Sequence, residues 1–268
     1  MADAGQTRPF LKARTVAVLR LLEARAYLAD RRGAAASAGK KNVLIFGQGR
    51  SGTTLFENLM ISTGHFTGRH EVLNTVTREV LHPTPFVRGL GRLTPGQNVI
   101  LHIKPEHLGR ARRKRGPVDA RAFLEAMIAD GWNIVHIQRR DILRQLMSKY
   151  LAKARGAYHK TDDTEEEIRI EVPEAEFIAQ YERRRGLLAQ EDALLEALPN
   201  LRLSYEEHLE QPEAHQRTID ATLAGLGLDS RPVSTRLRKI SKGSPARFLA
   251  NHAALQSAFI ARGWDWTL

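Results

Sequence analysis

The chain has 268 residues, 42% hydrophobic and 26% charged, which suffices for one sizeable core and departs from the composition of a disordered segment. Lysine and arginine number 41 against 30 acids, and the formal charge of +11 needs an anionic partner: nucleic acid, membrane surface or a small polyanion. The absence of cysteine excludes disulfides, thiolate metal sites and cysteine nucleophiles, and no run of about 18 apolar residues offers a membrane-spanning helix.

Residues 8–32 predict one basic amphipathic helix, with Leu11, Val18 and Leu22 at helical spacing and arginines on the remaining faces. Its first reading is a helix packed onto the domain, and weak docking on a membrane surface is the second. Arg14, Arg20, Arg25, Arg31 and Arg32 interrupt every apolar stretch there, so no signal-peptide core is expected and a cytoplasmic protein fits best. The small residues from Gly33 to Gly39 read as a linker, which divides the chain into an extension over 1–39 and a domain over 40–268.

From there strand, turn and helix repeat. Asn42–Phe46 is a short apolar strand, followed by a glycine-rich turn and a helix over Leu55–Ser62. Asn98–Ile103 and Asn133–Ile137 are two further strands, and a helix follows over Ile142–Arg155 with Leu143, Leu146, Met147, Tyr150, Leu151 and Ala154 as its core face. Leu201–Ser204 is a fourth strand, and a helix beginning after Pro212 ends near Gly227. Short buried strands alternating with helices predict an α/β fold: a P-loop-like parallel sheet flanked by helices on both faces. The acidic run Thr161–Glu167 reads as a solvated loop, with an acceptor-side lid as the minority reading.

The strongest local signal is Val43-Leu-Ile-Phe-Gly-Gln-Gly-Arg-Ser-Gly-Thr-Thr-Leu55. Gly47 and Gly52 allow the backbone to curl so that N–H groups face inward, and the following helix adds the positive end of its dipole. The spacing nearly matches G-x4-G-K-[ST], but Thr53 stands at the lysine position and the cation has moved to Arg50. A triphosphate site also uses magnesium held by an acidic strand end. Here the third predicted strand ends in Arg139 and Arg140, which would repel a metal ion and attract a second anion.

Arg50-Ser51-Gly52-Thr53-Thr54 resembles the 5′-phosphosulfate loop of the sulfotransferases that use 3′-phosphoadenosine 5′-phosphosulfate (PAPS). The run Ile134–Tyr150 is similar to the family's 3′-phosphate motif, a strand-end arginine followed eight residues later by a helical serine, here Arg140 and Ser148. Leu151–His159 and Ser204-Tyr-Glu-Glu-His-Leu209 resemble the bacterial branch that includes trehalose and nodulation-factor sulfotransferases. The resemblance extends from about Lys41 to the C-terminus. It implies PAPS as co-substrate, no metal, Arg50 at the departing phosphate oxygen, and a carbohydrate or glycolipid hydroxyl (or an amine) as acceptor.

In that branch a glutamate shortly after Gly-Arg supplies the general base, and Glu71 is the match, with His70 as its substitute or orienting group. Eukaryotic relatives take the base from a later strand, where His102 and Lys104 share a face. Lys239 and Lys242, in Arg238–Ser244, match a segment that closes over the nucleotide, although a solvated cluster is an equal reading. Two other readings remain open: a P-loop kinase or NTPase, and a basic nucleic-acid-binding protein. The second draws on Arg110–Arg115 but lacks interleaved aromatics, which make up 6% of the chain.

Overall fold

A computed structural model describes residues 7–33, 37–74, 79–93, 95–109, 116–155, 168–237 and 245–266, with side chains in the first helix from residue 17 onward. The predicted lid over 161–167, the basic run 110–115 and Lys239 with Lys242 lie outside the described residues. In chain order the elements begin α1 (Thr7–Asp30), β1 (Val43–Phe46), α2 (Thr53–Ser62), β2 (Phe66–Glu71) and α3 (Pro83–Arg92). They continue with β3 (Asn98–Ile103), α4 (Pro105–Gly109), α5 (Ala120–Ala129), β4 (Asn133–Gln138), α6 (Ile142–Arg155) and α7 (Glu174–Leu195). The last are β5 (Leu201–Ser204), α8 (Tyr205–His208), α9 (Pro212–Gly225), α10 (Pro245–Phe248) and α11 (His252–Ile260).

The protein is α/β, with a five-stranded all-parallel sheet ordered β2-β3-β1-β4-β5 and flanked by helices. Parallel strands covered on both faces need continuous apolar runs, and Val43-Leu-Ile-Phe of β1 is buried throughout. The strands β3 and β4 carry such runs too, whereas β5, Leu-Arg-Leu-Ser at one edge of the sheet, buries only Leu203 and Ser204; all four coincide with predicted strands. The fifth, β2, has the polar sequence Phe-Thr-Gly-Arg-His-Glu and reads as loop. It lies at the other edge, where a strand pairs on one side and needs little apolar surface. Among the described residues no helix is long and apolar enough to cross a membrane.

The chain divides into two compact units, each drawn from two stretches. Met1–Phe46 with Gly64–Val135 form unit 1, and Gly47–Thr63 with His136–Leu268 form unit 2.

Within unit 1, α1 packs on α3. Gly89 of α3 meets the backbone of Ala26 so closely that no side chain fits there. Asp30 takes both guanidinium arms of Arg88, at 3.0 and 2.9 Å, and also bonds Arg92, whose other arm reaches Asp130. The face that α1 turns inward is therefore small residues and bonded acids: Ala26, Ala29, Glu23 and Asp30. Val18, expected on the apolar face, points outward.

Within unit 2, α6 buries Leu143, Leu146, Met147, Tyr150 and Leu151 as the spacing predicts, while Ala154 is exposed and Ala152 is buried instead. This face joins an aromatic cluster from α7, α11 and the C-terminal segment. Tyr150 stacks on Phe177, and Phe259 is ringed by Tyr181, Trp264 and Trp266. Asp141 starts α6 by accepting from the Arg144 N–H at 2.8 Å.

Candidate functional site

The glycine turn of unit 2 is held from several sides. Gly47 passes so close to the Ile137 carbonyl that a Cβ would collide with it. Gly52, at φ 89°, is the N-cap of α2 and abuts the Tyr205 ring, so both conformation and space require glycine. No side chain caps α2, which leaves its first N–H groups to the concave face of the turn. Arg50 itself is left-handed, at φ 71°, an unusual conformation for a residue with a side chain.

That conformation accompanies a specific contact. The Arg50 guanidinium donates to Ser148 Oγ on α6 through Nε at 3.0 Å and Nη2 at 2.8 Å. The loop residue and the helical serine, far apart in sequence, thus meet. Ser51 is buried and bonded at 2.9 Å by Gln145 Nε2, which also donates to the Gly49 carbonyl. Thr53 and Thr54 form the first turn of α2, and Thr53 is buried.

The two strand-end arginines divide sharply. The side chain of Arg140 is 64% exposed and pairs with Glu207 at 2.7 Å. The side chain of Arg139 is 8% exposed, lies over the Tyr205 ring at 4.5 Å, and reaches the Arg50 carbonyl at 3.5 Å. Among the described residues its buried Nε has no hydrogen-bond acceptor, the nearest carboxylate oxygen being that of Glu206 at 4.0 Å. A buried cation so incompletely answered favours an incoming anion. Arg184 of α7 adds a third guanidinium, donating to the Gly49 carbonyl at 3.1 Å. Sequence reasoning gave Arg139 second place and missed Gln145, which lies inside the run Ile134–Tyr150 but at none of its named positions, and Arg184, which belongs to no motif. Only Arg139 carried a signal, its position beside Arg140.

Behind the loop, His136 of β4 and Glu191 of α7 form a buried pair at 3.2 Å. Burial pushes the Glu191 carboxyl up, against the hydrogen bonds from His136 and from Gln48 of the loop.

A second cluster belongs to unit 1. Three steps along β2 from Gly68 to Glu71 are matched by two along β3 from Ile100 to His102, a bulge that sets Glu71 opposite His102. His70 takes up the extra residue in a left-handed conformation, φ 53°, with its side chain exposed. The Glu71 carboxylate then receives Lys104 Nζ at 2.6 Å on Oε1 and Asn74 Nδ2 at 3.0 Å on Oε2, while His102 Nε2 lies 3.1 Å from Oε1. His107 Nε2 stands 3.9 Å from Oε2. Burial alone would raise the carboxyl, but the close contacts of His102 and Lys104, with the ammonium charge, hold it well below the usual carboxylate range. The candidate base and both residues of its alternative form one contact group.

No family model matches this chain, and no curated protein does. A functional reading rests on the residues themselves.

Proposed function

We propose that the protein is a sulfotransferase that moves a sulfuryl group from PAPS to a hydroxyl, or an amine, of a small-molecule or glycan acceptor. The observation that carries this reading is the Arg50–Ser148 contact in unit 2, which joins the phosphate-type loop to the helix of the second anion motif. The buried guanidinium of Arg139 and the uncapped start of α2 support it as further anion-binding groups.

PAPS, when bound, supplies the sulfuryl group and a 5′-phosphate leaving group. Arg50 and the first N–H groups of α2 stabilise the negative charge that develops as the leaving group departs. Ser148 and the strand-end arginines hold the 3′-phosphate. Of these Arg139 is the stronger candidate, because Arg140 is solvated and already paired with Glu207. Gln145 and Arg184 fix the loop carbonyls so that its amides keep their direction.

The proton of the acceptor is assigned to Glu71. Its depressed pKa keeps it ionised and ready to accept, at some cost in basicity while Lys104 is bonded to it. The 3.1 Å contact favours a second arrangement, in which His102 is the base and Glu71 orients its ring. Either arrangement uses the same contact group.

Retention on immobilised 3′,5′-adenosine bisphosphate in a chelating buffer tests the reading. Retention with elution by PAPS is expected. Elution by magnesium ATP at equal concentration would favour a P-loop kinase or NTPase instead.

A further inference from the structure

The outward face of α1 is unlike the rest of unit 1. Val18, Leu21 and Leu28 are 66%, 61% and 62% exposed, three of the largest apolar exposures among the described residues. With Arg25 they follow the spacing 18, 21, 25, 28, which alternates three and four residues and lays them in one stripe along the helix, and Arg32 follows in the turn just past its end. Arg31 borders the stripe. All three arginines are exposed, and none makes an ion pair among the described residues.

The acids of the same segment are turned the other way. Glu23 bonds Arg20, Tyr27 and the Leu81 N–H, and Asp30 bonds Arg88 and Arg92. The described outward surface is therefore apolar and cationic with no carboxylate. A helix of 24 residues extends about 36 Å, long enough to lie along a surface rather than to present a point contact.

We propose that this face of α1 docks the protein on an anionic lipid surface, with the leucines entering the headgroup boundary and the arginines meeting lipid phosphates. A second copy fits less well. The stripe has coiled-coil spacing, but Arg25 occupies a seam position and the described face offers no acid to answer a partner's arginines. A nucleic acid would use the arginines and leave the leucines unexplained. The inference goes beyond the sulfuryl-transfer reading and does not rest on it.

Co-sedimentation of the full chain with vesicles tests it, using pure phosphatidylcholine and an equal mixture of phosphatidylcholine and phosphatidylglycerol. Binding to the mixed vesicles is expected, at least about tenfold stronger than to the neutral ones and weakening as salt is raised. Leu21→Glu with Leu28→Glu should abolish it while the thermal unfolding midpoint is preserved, since both side chains are exposed. Arg25→Gln, Arg31→Gln and Arg32→Gln together should lower binding about a hundredfold. Equal binding to both vesicle types, no binding to either, or undiminished binding of the glutamate variant would overturn the proposal. A glutamate variant that instead converts a dimer to a monomer, without any vesicle effect, would reassign the face to a second copy.

Discussion

The two charged clusters are built on opposite plans. In unit 1 a carboxylate is surrounded: Lys104 and Asn74 donate to Glu71, His102 lies 3.1 Å away, and the charge is answered within the protein. In unit 2 the cations do the surrounding, with Arg50, Arg139 and Arg184 converging on the glycine turn and Arg139 only partly answered. Each cluster also contains a non-glycine residue in the left-handed region, His70 beside the first and Arg50 within the second. Such backbone costs of order 1–3 kcal/mol and persists where its surroundings demand it. The difference separates two kinds of chemistry. A carboxylate matched by internal donors is suited to handling a proton, whereas a cationic cradle with an unmatched guanidinium is suited to receiving an anion.

The largest expected effect breaks the cationic side. Arg50→Ala should lower kcat by about 10² to 10³, because its charge is needed most as the leaving group departs. Turnover within a few-fold of wild type would place the transferred group elsewhere. On the carboxylate side, Glu71→Gln preserves shape and removes the proton acceptor, and kcat should fall by about 10². Binding of 3′,5′-adenosine bisphosphate should survive that change. His102→Ala serves as the matched variant. A greater loss there than in Glu71→Gln would make the histidine the base and the glutamate its positioning group.

A smaller effect sharpens the contrast between neighbouring arginines. Arg139→Ala should weaken 3′,5′-adenosine bisphosphate binding about 10- to 100-fold, the range for losing a hydrogen bond to a charged group, and Arg140→Ala should stay within about threefold. The reverse order, measured by calorimetry, would return the 3′-phosphate to the exposed residue.

The smallest effect concerns stability. The folded pKa of Glu71 is depressed, so its contribution is fully present above the unfolded value of about 4.3 and is lost as pH falls through the folded one. Urea midpoints of wild type and Glu71→Gln should therefore differ at neutral pH and converge on acidification. A gap that is constant over the acid range would show that Lys104 and His102 do not hold the ionised form.

Some of this was legible in the residues and some was not. The apolar runs of β1, β3 and β4 announce buried parallel strands, and Gly47 and Gly52 announce the turn, because burial and left-handed backbone each restrict residue choice strongly. The edge strand β2 escapes because pairing on one side tolerates a polar sequence, and its bulge cannot be read from spacing at all. That bulge is what sets Glu71 against His102, so two residues that read as alternatives proved to be neighbours. Arg139 and Arg140 are indistinguishable as letters, and only strand direction decides which one is buried under the loop. Val18 of α1 reads as part of a core face because helical periodicity reports a stripe without saying which side is covered. Here alanines and bonded acids do the packing.

The central claim, that the cradle of unit 2 receives a nucleotide with both 3′ and 5′ phosphate charge, is tested most directly by thermal unfolding in a chelating buffer. With 3′,5′-adenosine bisphosphate at a hundred times its dissociation constant, the account predicts stabilisation of about 2.7 kcal/mol. It also predicts a clearly smaller shift with 5′-AMP at the same concentration. Equal shifts with the two nucleotides, or a shift seen only with ATP and magnesium, would contradict it.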